Sequence, residues 1–136
     1  MTVSRVVVVA LIALLASASI SAQDASFVPA KAIDKKFLLL GGALNVSMIL
    51  DTKSTFDVLR RCDRCVESNP YAAPFINRGP AVAFMAGEAL GIGVLAVAAR
   101  MRVARSPVVR HIWWVIPAAL ASGHLVAYRH NLHMAR

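Results

Sequence analysis

Charge is scarce in this 136-residue chain: Asp, Glu, Lys and Arg make up 16% of it, where a soluble domain carries about a quarter. Acidic residues are the scarcer sign, seven against fifteen Lys and Arg, which leaves a formal net charge of +8. Only two cysteines are present, so no second pair exists to complete a zinc site. There is no nucleophile elbow, no phosphate-binding loop and no H-E-x-x-H helix, and nothing supports a serine or cysteine hydrolase. Internal repeats, a low-complexity tail and any recognisable RNA- or DNA-binding motif are also lacking.

What remains is apolar. Hydrophobic residues make up 58%, the mean hydropathy is +0.63, and the apolar residues come in runs. The length allows one domain at most. The cations sit at the ends of those runs, at Lys35, Lys36, Arg60, Arg61, Arg100, Arg102 and Arg129. Interfacial anchoring and anionic headgroups favour that placement. The expected partners are therefore the lipid bilayer and a second copy or another membrane protein, not nucleic acid.

Residues 1–22 read as a signal peptide. Arg5 supplies the positive start, Val6 to Leu15 the apolar core, and Ile20-Ser21-Ala22 a cleavage site, with Ala16-Ser17-Ala18 as second choice. Residues 23–136 then form one helical membrane domain with helices at about 33–59, 81–99 and 108–128. The first crosses a ~30 Å core only if it continues to about Leu59, because Phe37 to Leu50 alone is too short at ~1.5 Å per residue. Asn69-Pro70, Pro74 and Gly79-Pro80 mark residues 60–79 as a loop. Trp113, Trp114 and Tyr128 sit near the ends of the last span as an aromatic belt does, and Pro117 should kink it. The fold class expected is all-α, a small transmembrane bundle of three spans in the bacterial inner membrane.

Glu88 is the lone carboxylate of its span, which costs roughly 2.5 kcal/mol or more at the bilayer centre unless it faces the bundle and finds a partner. Gly87-x-x-x-Gly91 permits close helix approach beside it. Asp51 shares a face with Ser47, Ser54 and Thr55, and Lys53 and Asp57 are spaced to pair. His124 lies in the last third of the third helix. Counting along the helices puts Asp51 and Glu88 each on the order of 12 Å inside one membrane face, so Asp51, Thr55, Glu88 and His124 are expected to converge beneath residues 60–79. Two acids and an imidazole there would trade a proton or hold a cation.

Cys62-x-x-Cys65 is flanked by Arg61 and Arg64, which favour a thiolate, but it follows a helix end, where the dipole opposes one. On the outer side of the membrane the pair would be a disulfide; inside, reduced thiols or part of a metal site. Charge counts leave the side open: four arginines argue for residues 60–79 inside, while Arg100, Arg102 and Arg105 argue the same for the next turn. His130 and His133 supply two imidazoles, half a metal site. The residues name no cofactor.

Asp51-x-x-Ser54-Thr55, Glu67-x-Asn69-Pro70, Trp113-Trp114-x-x-Pro117 and His130-Asn131 together resemble a group of uncharacterised small bacterial integral membrane proteins. The likeness covers roughly residues 37–132. It implies a membrane location and a true first span, and it singles out Asp51, Thr55, Glu67 and Asn69; it brings no activity. Read locally, Glu67-x-Asn69-Pro70 is a helix-entry turn in which Asn69 caps and Pro70 stops what precedes. Three functions follow as expectations: a non-enzymatic structural or interaction role; an ion- or proton-handling component using Asp51, Glu88 and His124; or a thiol redox or metal-handling protein using Cys62 and Cys65.

Overall fold

A computed structural model describes residues 31–62 and 64–134, and these residues are helical with no strand among them. The signal segment lies outside the described residues. The first helix, α1 (Lys35–Arg61), starts where Asp34 caps it, accepting from the Phe37 amide at 2.8 Å, and ends with Arg60 and Arg61 opposite its carbonyl dipole. Residue 62 and residues 64–79, together the 62–79 loop, follow it and contain one short helix, α2 (Ala73–Ile76). Gly79 then takes φ +100°, a backbone region open to glycine, and Pro80 opens α3 (Pro80–Arg102) at the position a helix start tolerates. Arg100 and Arg102, expected in a turn, belong to the last turn of α3, where their charge complements the helix end.

The expected continuous helix over 108–128 is corrected. Pro107–Ile112 forms a short α4 capped by Ser106, Trp113 and Trp114 make a turn, and α5 runs Val115–Met134. The break falls where Pro117 demands it: proline lacks an amide hydrogen, and its ring collides with the carbonyl four residues back, that of Trp113.

α1 packs lengthwise against α5 and, less extensively, against α3. Its inward positions, Phe37, Gly41, Leu44, Met48, Asp51 and Thr55, recur at alternating spacings of four and three, the rhythm of a helix seam. Partners rise together along α5, from His124 at Asp51 to Asn131 at Ser54 and Thr55, so α1 and α5 are parallel. They fall along α3, where Leu95 lies over Gly41 and Met48 over Gly87 and Gly91, so α3 is antiparallel. Leu44, Met48 and Ala121 form the core, with Val94, Leu95 and Leu120 against it.

The interior is mainly apolar but admits two serines, and many large apolar side chains face outward. Ser47 is 1% exposed and Ser54 5%, whereas Leu39, Met85 and Val126 are 70% exposed or more. Among the described helices, α3 alone is long and apolar enough to cross a membrane, with 23 residues and a mean hydropathy of 2.0 over its most apolar 18. α1 spends Asp51, Lys53 and Asp57 within its length, which lowers its own hydropathy.

Candidate functional site

The polar end of the α1 seam meets the polar end of α5. Asp51 Oδ2 lies 2.7 Å from His124 Nδ1. In the tautomer in which Nδ1 carries the hydrogen, it donates to this carboxylate and leaves Nε2 as the ring's second working nitrogen. Asn131 reaches across two turns further along α5. Its Nδ2 donates to Ser54 Oγ and Thr55 Oγ1, both at 3.0 Å, and lies 3.4 Å from Asp51 Oδ1. An amide has two hydrogens for these three acceptors, so the contact to Asp51 is the weakest. Ser54 completes the set by donating to the Asp51 carbonyl at 2.9 Å. Asn131 thus staples the two helices beside an Asp–His pair whose imidazole is oriented by its carboxylate, the arrangement that sets an imidazole for proton transfer or ligation.

Asp51, Thr55 and His124 line a cavity of about 740 Å³ bounded by α1, α3, α5 and the 62–79 loop. Small residues of α3, Ala83, Ala86 and Gly87, leave the room, and Met48, Leu90, Phe75 and Met134 make part of the wall apolar. The loop contributes Cys65, Glu67, Ser68 and Asn69. It is braced internally: Glu67 Oε1 accepts from the Asn69 amide at 2.7 Å, Asn69 Oδ1 accepts from the Tyr71 amide at 3.0 Å, and the Asn69 carbonyl accepts from the Ala73 amide at 2.9 Å. Glu67-x-Asn69-Pro70 therefore builds a turn ahead of α2 and presents Glu67 and Asn69 to the cavity; Pro70 does not line it. The expected Asn69 cap is corrected: the helix is capped at Ala72 with no side-chain bond, because the Asn69 side chain closes its own turn on the Tyr71 amide.

Glu88 is elsewhere. Both its oxygens accept from Asn45 Nδ2 at 2.8 Å, and it is not among the cavity residues. The end-counting that put Glu88 level with Asp51 fails because the helix register is set by Met48 seating on Gly87 and Gly91 and Leu95 on Gly41. That register brings Glu88 to Asn45, six residues or ~9 Å along α1 from Asp51. Asn45, which engages Glu88 away from the cavity, is a partner that sequence reasoning passed over. Its signal was present, an amide interrupting the Phe37–Leu50 apolar run.

Cys62 and Cys65 form a disulfide with Cα atoms 5.3 Å apart, and no free cysteine occurs among the described residues. His130 lines the cavity and His133 does not. No group of three or more His, Cys, Asp or Glu among the described residues is arranged to hold a metal ion. Lys53 and Asp57 pair at 3.1 Å on the exposed face.

A second polar cluster closes the opposite end of the bundle. Arg102 donates to both Asp34 oxygens, at 2.8 and 2.5 Å, and to the Ala32 carbonyl at 3.0 Å. Its guanidinium lies 4.7 Å from the Trp113 ring centroid and 5.9 Å from that of Phe37, and these two rings stack. Hydrogen bonds from the Arg102 side chain, then from the Phe37 amide, hold the Asp34 carboxyl at about 2, below its ordinary 3.8. Sequence reading assigned Trp113 to an aromatic belt and did not find this cluster, whose partners lie 68 residues apart.

No protein-family model matches the chain, and no curated protein or solved structure is significantly similar to it.

Proposed function

We propose that this chain is a small multi-pass membrane protein that receives a small amphipathic molecule in the cavity beneath the 62–79 loop, with Asp51 and His124 as its polar recognition pair. The observation that carries the proposal is the paired Asp51 and His124 turned inward onto a cavity while large apolar side chains face outward. Water-soluble folds sort their residues the other way. Only 11% of the most apolar window of α3 is buried, and the helix starts far from the N-terminus, so neither a soluble core helix nor a signal segment accounts for it. α1 and α5 are weaker spans by composition, but they pack lengthwise on the same bundle and share its orientation. Their charges are paired inward or lie toward the ends, as intramembrane charges are. A bacterial inner-membrane location and kinship with the group that shares the D-x-x-S-T and E-x-N-P motifs belong to the same proposal.

A purely structural or interaction role needs no cavity, and so accounts for less of the geometry. An ion path through Asp51, Glu88 and His124 loses continuity at Glu88, which Asn45 engages. The Cys62–Cys65 disulfide favours placing the loop on the oxidising side of the membrane. The test is extraction and labelling. The chain should stay with membranes washed in alkaline carbonate, and after reduction a membrane-impermeant maleimide should reach its cysteines from outside the cell. Release into the wash would sink the membrane reading; labelling only after the membrane is broken would reverse the loop.

A further inference from the structure

We propose that the cavity docks a lipid-soluble quinone, and that the Cys62–Cys65 dithiol is oxidised there to the disulfide seen in the structure. The inference rests on the membrane cavity proposed above and names its ligand. Three observations lead to it. Cys65 lines the same cavity as Asp51 and His124, so an electron-carrying sulfur and a proton-carrying ring share one chamber. The wall is divided, with Met48, Leu90 and Phe75 on its apolar part, which suits an apolar tail on a ring whose carbonyl oxygens accept hydrogen bonds. The volume, about 740 Å³, falls in the range of small-molecule and cofactor sites and takes a quinone ring with the first part of its chain.

The two sulfurs are not equivalent. Cys62 caps the C-terminus of α1, its amide bonded to the Val58 carbonyl, where the helix dipole disfavours a thiolate. Cys65 lies past that end, beside Arg64, on the cavity wall. Cys65 is therefore the sulfur nearer the quinone, and Cys62 the one that exchanges with a dithiol protein on the same side of the membrane. In the oxidation step two S–H bonds break and one S–S bond forms. Two electrons and two protons pass to the quinone, and both C=O groups become C–OH. His124, its ring held through Nδ1 by Asp51, takes a proton from one thiol at Nε2 and passes it to a quinone oxygen; the second thiol proton reaches the other oxygen through solvent. Exchange with the partner dithiol then returns both thiols.

The full chain is incorporated into lipid nanodiscs, reduced with dithiothreitol and freed of it. Decylubiquinone is added, a fully substituted quinone that resists thiol addition at its ring. Quinone absorbance and free thiols are followed together. The expected result is one quinone reduced per two thiols lost, at a rate that saturates with quinone. Cys65→Ser should abolish the reaction, and His124→Gln should slow it on the order of 100-fold, the scale of a positioned acid. Lys53→Ala, exposed and off the cavity, should leave it unchanged. Persisting thiols, or a wild-type rate that climbs linearly with quinone, overturns the proposal without reference to any variant. An equal rate in His124→Gln does the same. A chain that will not enter nanodiscs overturns the membrane reading as well; one that enters and keeps its thiols overturns this inference alone.

Discussion

Removing Asn45 should expose how Glu88 is tolerated. Both Glu88 oxygens accept from one amide nitrogen at 2.8 Å, and that nitrogen has two hydrogens to give. Hydrogen bonds to a charged group are worth roughly 1.5–3 kcal/mol, whereas neutral interhelical bonds in a bilayer average about 0.6 kcal/mol. A carboxylate engaged on both oxygens belongs to the first class, so Asn45→Ala should cost roughly 1.5–3 kcal/mol, a ~10- to 150-fold fall in the folded-to-unfolded ratio. Most of that loss is the penalty of stranding Glu88, not the worth of the bond. Removing both groups should therefore recover it: Asn45→Leu with Glu88→Met should return to within ~1 kcal/mol of the parent, as replacing a buried polar pair by apolar groups of similar shape often does. Reversible unfolding in mixed micelles, followed by tryptophan fluorescence for the parent, both single variants and the double, gives the coupling energy directly. An Asn45→Ala protein as stable as the parent, or a double variant that loses the sum of the two singles, would refute the account of Glu88 as a paired structural carboxylate.

The Asp34–Arg102 bridge should be acid-labile. With the Asp34 carboxyl lowered from 3.8 to about 2, its contribution is fully present above pH 3.8 and is lost as pH falls through about 2; the emission of Trp113, stacked beneath Arg102, should shift in that window and not in Asp34→Asn. Asn131→Ala should loosen α1 from α5 by roughly 0.6 kcal/mol for each interhelical bond lost, measurable in the same unfolding experiment, while Asn131→Asp should do worse by facing Asp51 with a second carboxylate. At Gly87 a Cβ would meet Met48 Cε at 3.5 Å and at Gly41 it would meet Leu95 Cδ1 at 3.3 Å, so Gly87→Ala should be nearly silent. Gly87→Ile should overpack the notch by roughly 1–3 kcal/mol, and equal melting of the two would remove Met48 as the element that sets the α1–α3 register.

Local signals in the sequence carry most of the helix boundaries. Asp34 announces the start of α1, Gly79-Pro80 the start of α3, and Pro117 the interruption before α5, each through the backbone hydrogens and torsions it offers or denies. The polar stripe of α1 was equally legible, since Asp51, Ser54 and Thr55 share a face whatever they meet. The partners of those residues were less so. Asp51 and His124 lie at matching depths only because α1 and α5 run parallel, and Glu88 finds Asn45 only because Met48 settles on two glycines. Helix-to-helix register is a property of side-chain shape at a contact, and counting residues from the helix ends does not contain it. The Arg102 cluster was hidden for a related reason: a cation at the end of an apolar run is expected to face headgroups, and nothing local to it indicates that a carboxylate and two rings from elsewhere will claim it.

By clasping Asp34, Arg102 makes the start of α1 and the end of α3 neighbours, so those two points cannot lie on opposite faces of a bilayer. With α5 setting out again from the same end, insertion under the proposed three-span reading collapses to one binary choice. Choosing the face that puts Cys65 outside puts Lys35, Lys36, Arg100 and Arg105 inside and leaves Arg60, Arg61, Arg64 and Arg78 outside, so the charge of the loops does not make the choice. The same choice obliges the residues just ahead of α1 to begin inside, and a chain cut at Ala22 after export begins outside. For three crossing helices, an external disulfide and a removed signal segment are mutually exclusive. Reading the first few residues of the purified protein therefore answers the same yes-or-no question as labelling its cysteines.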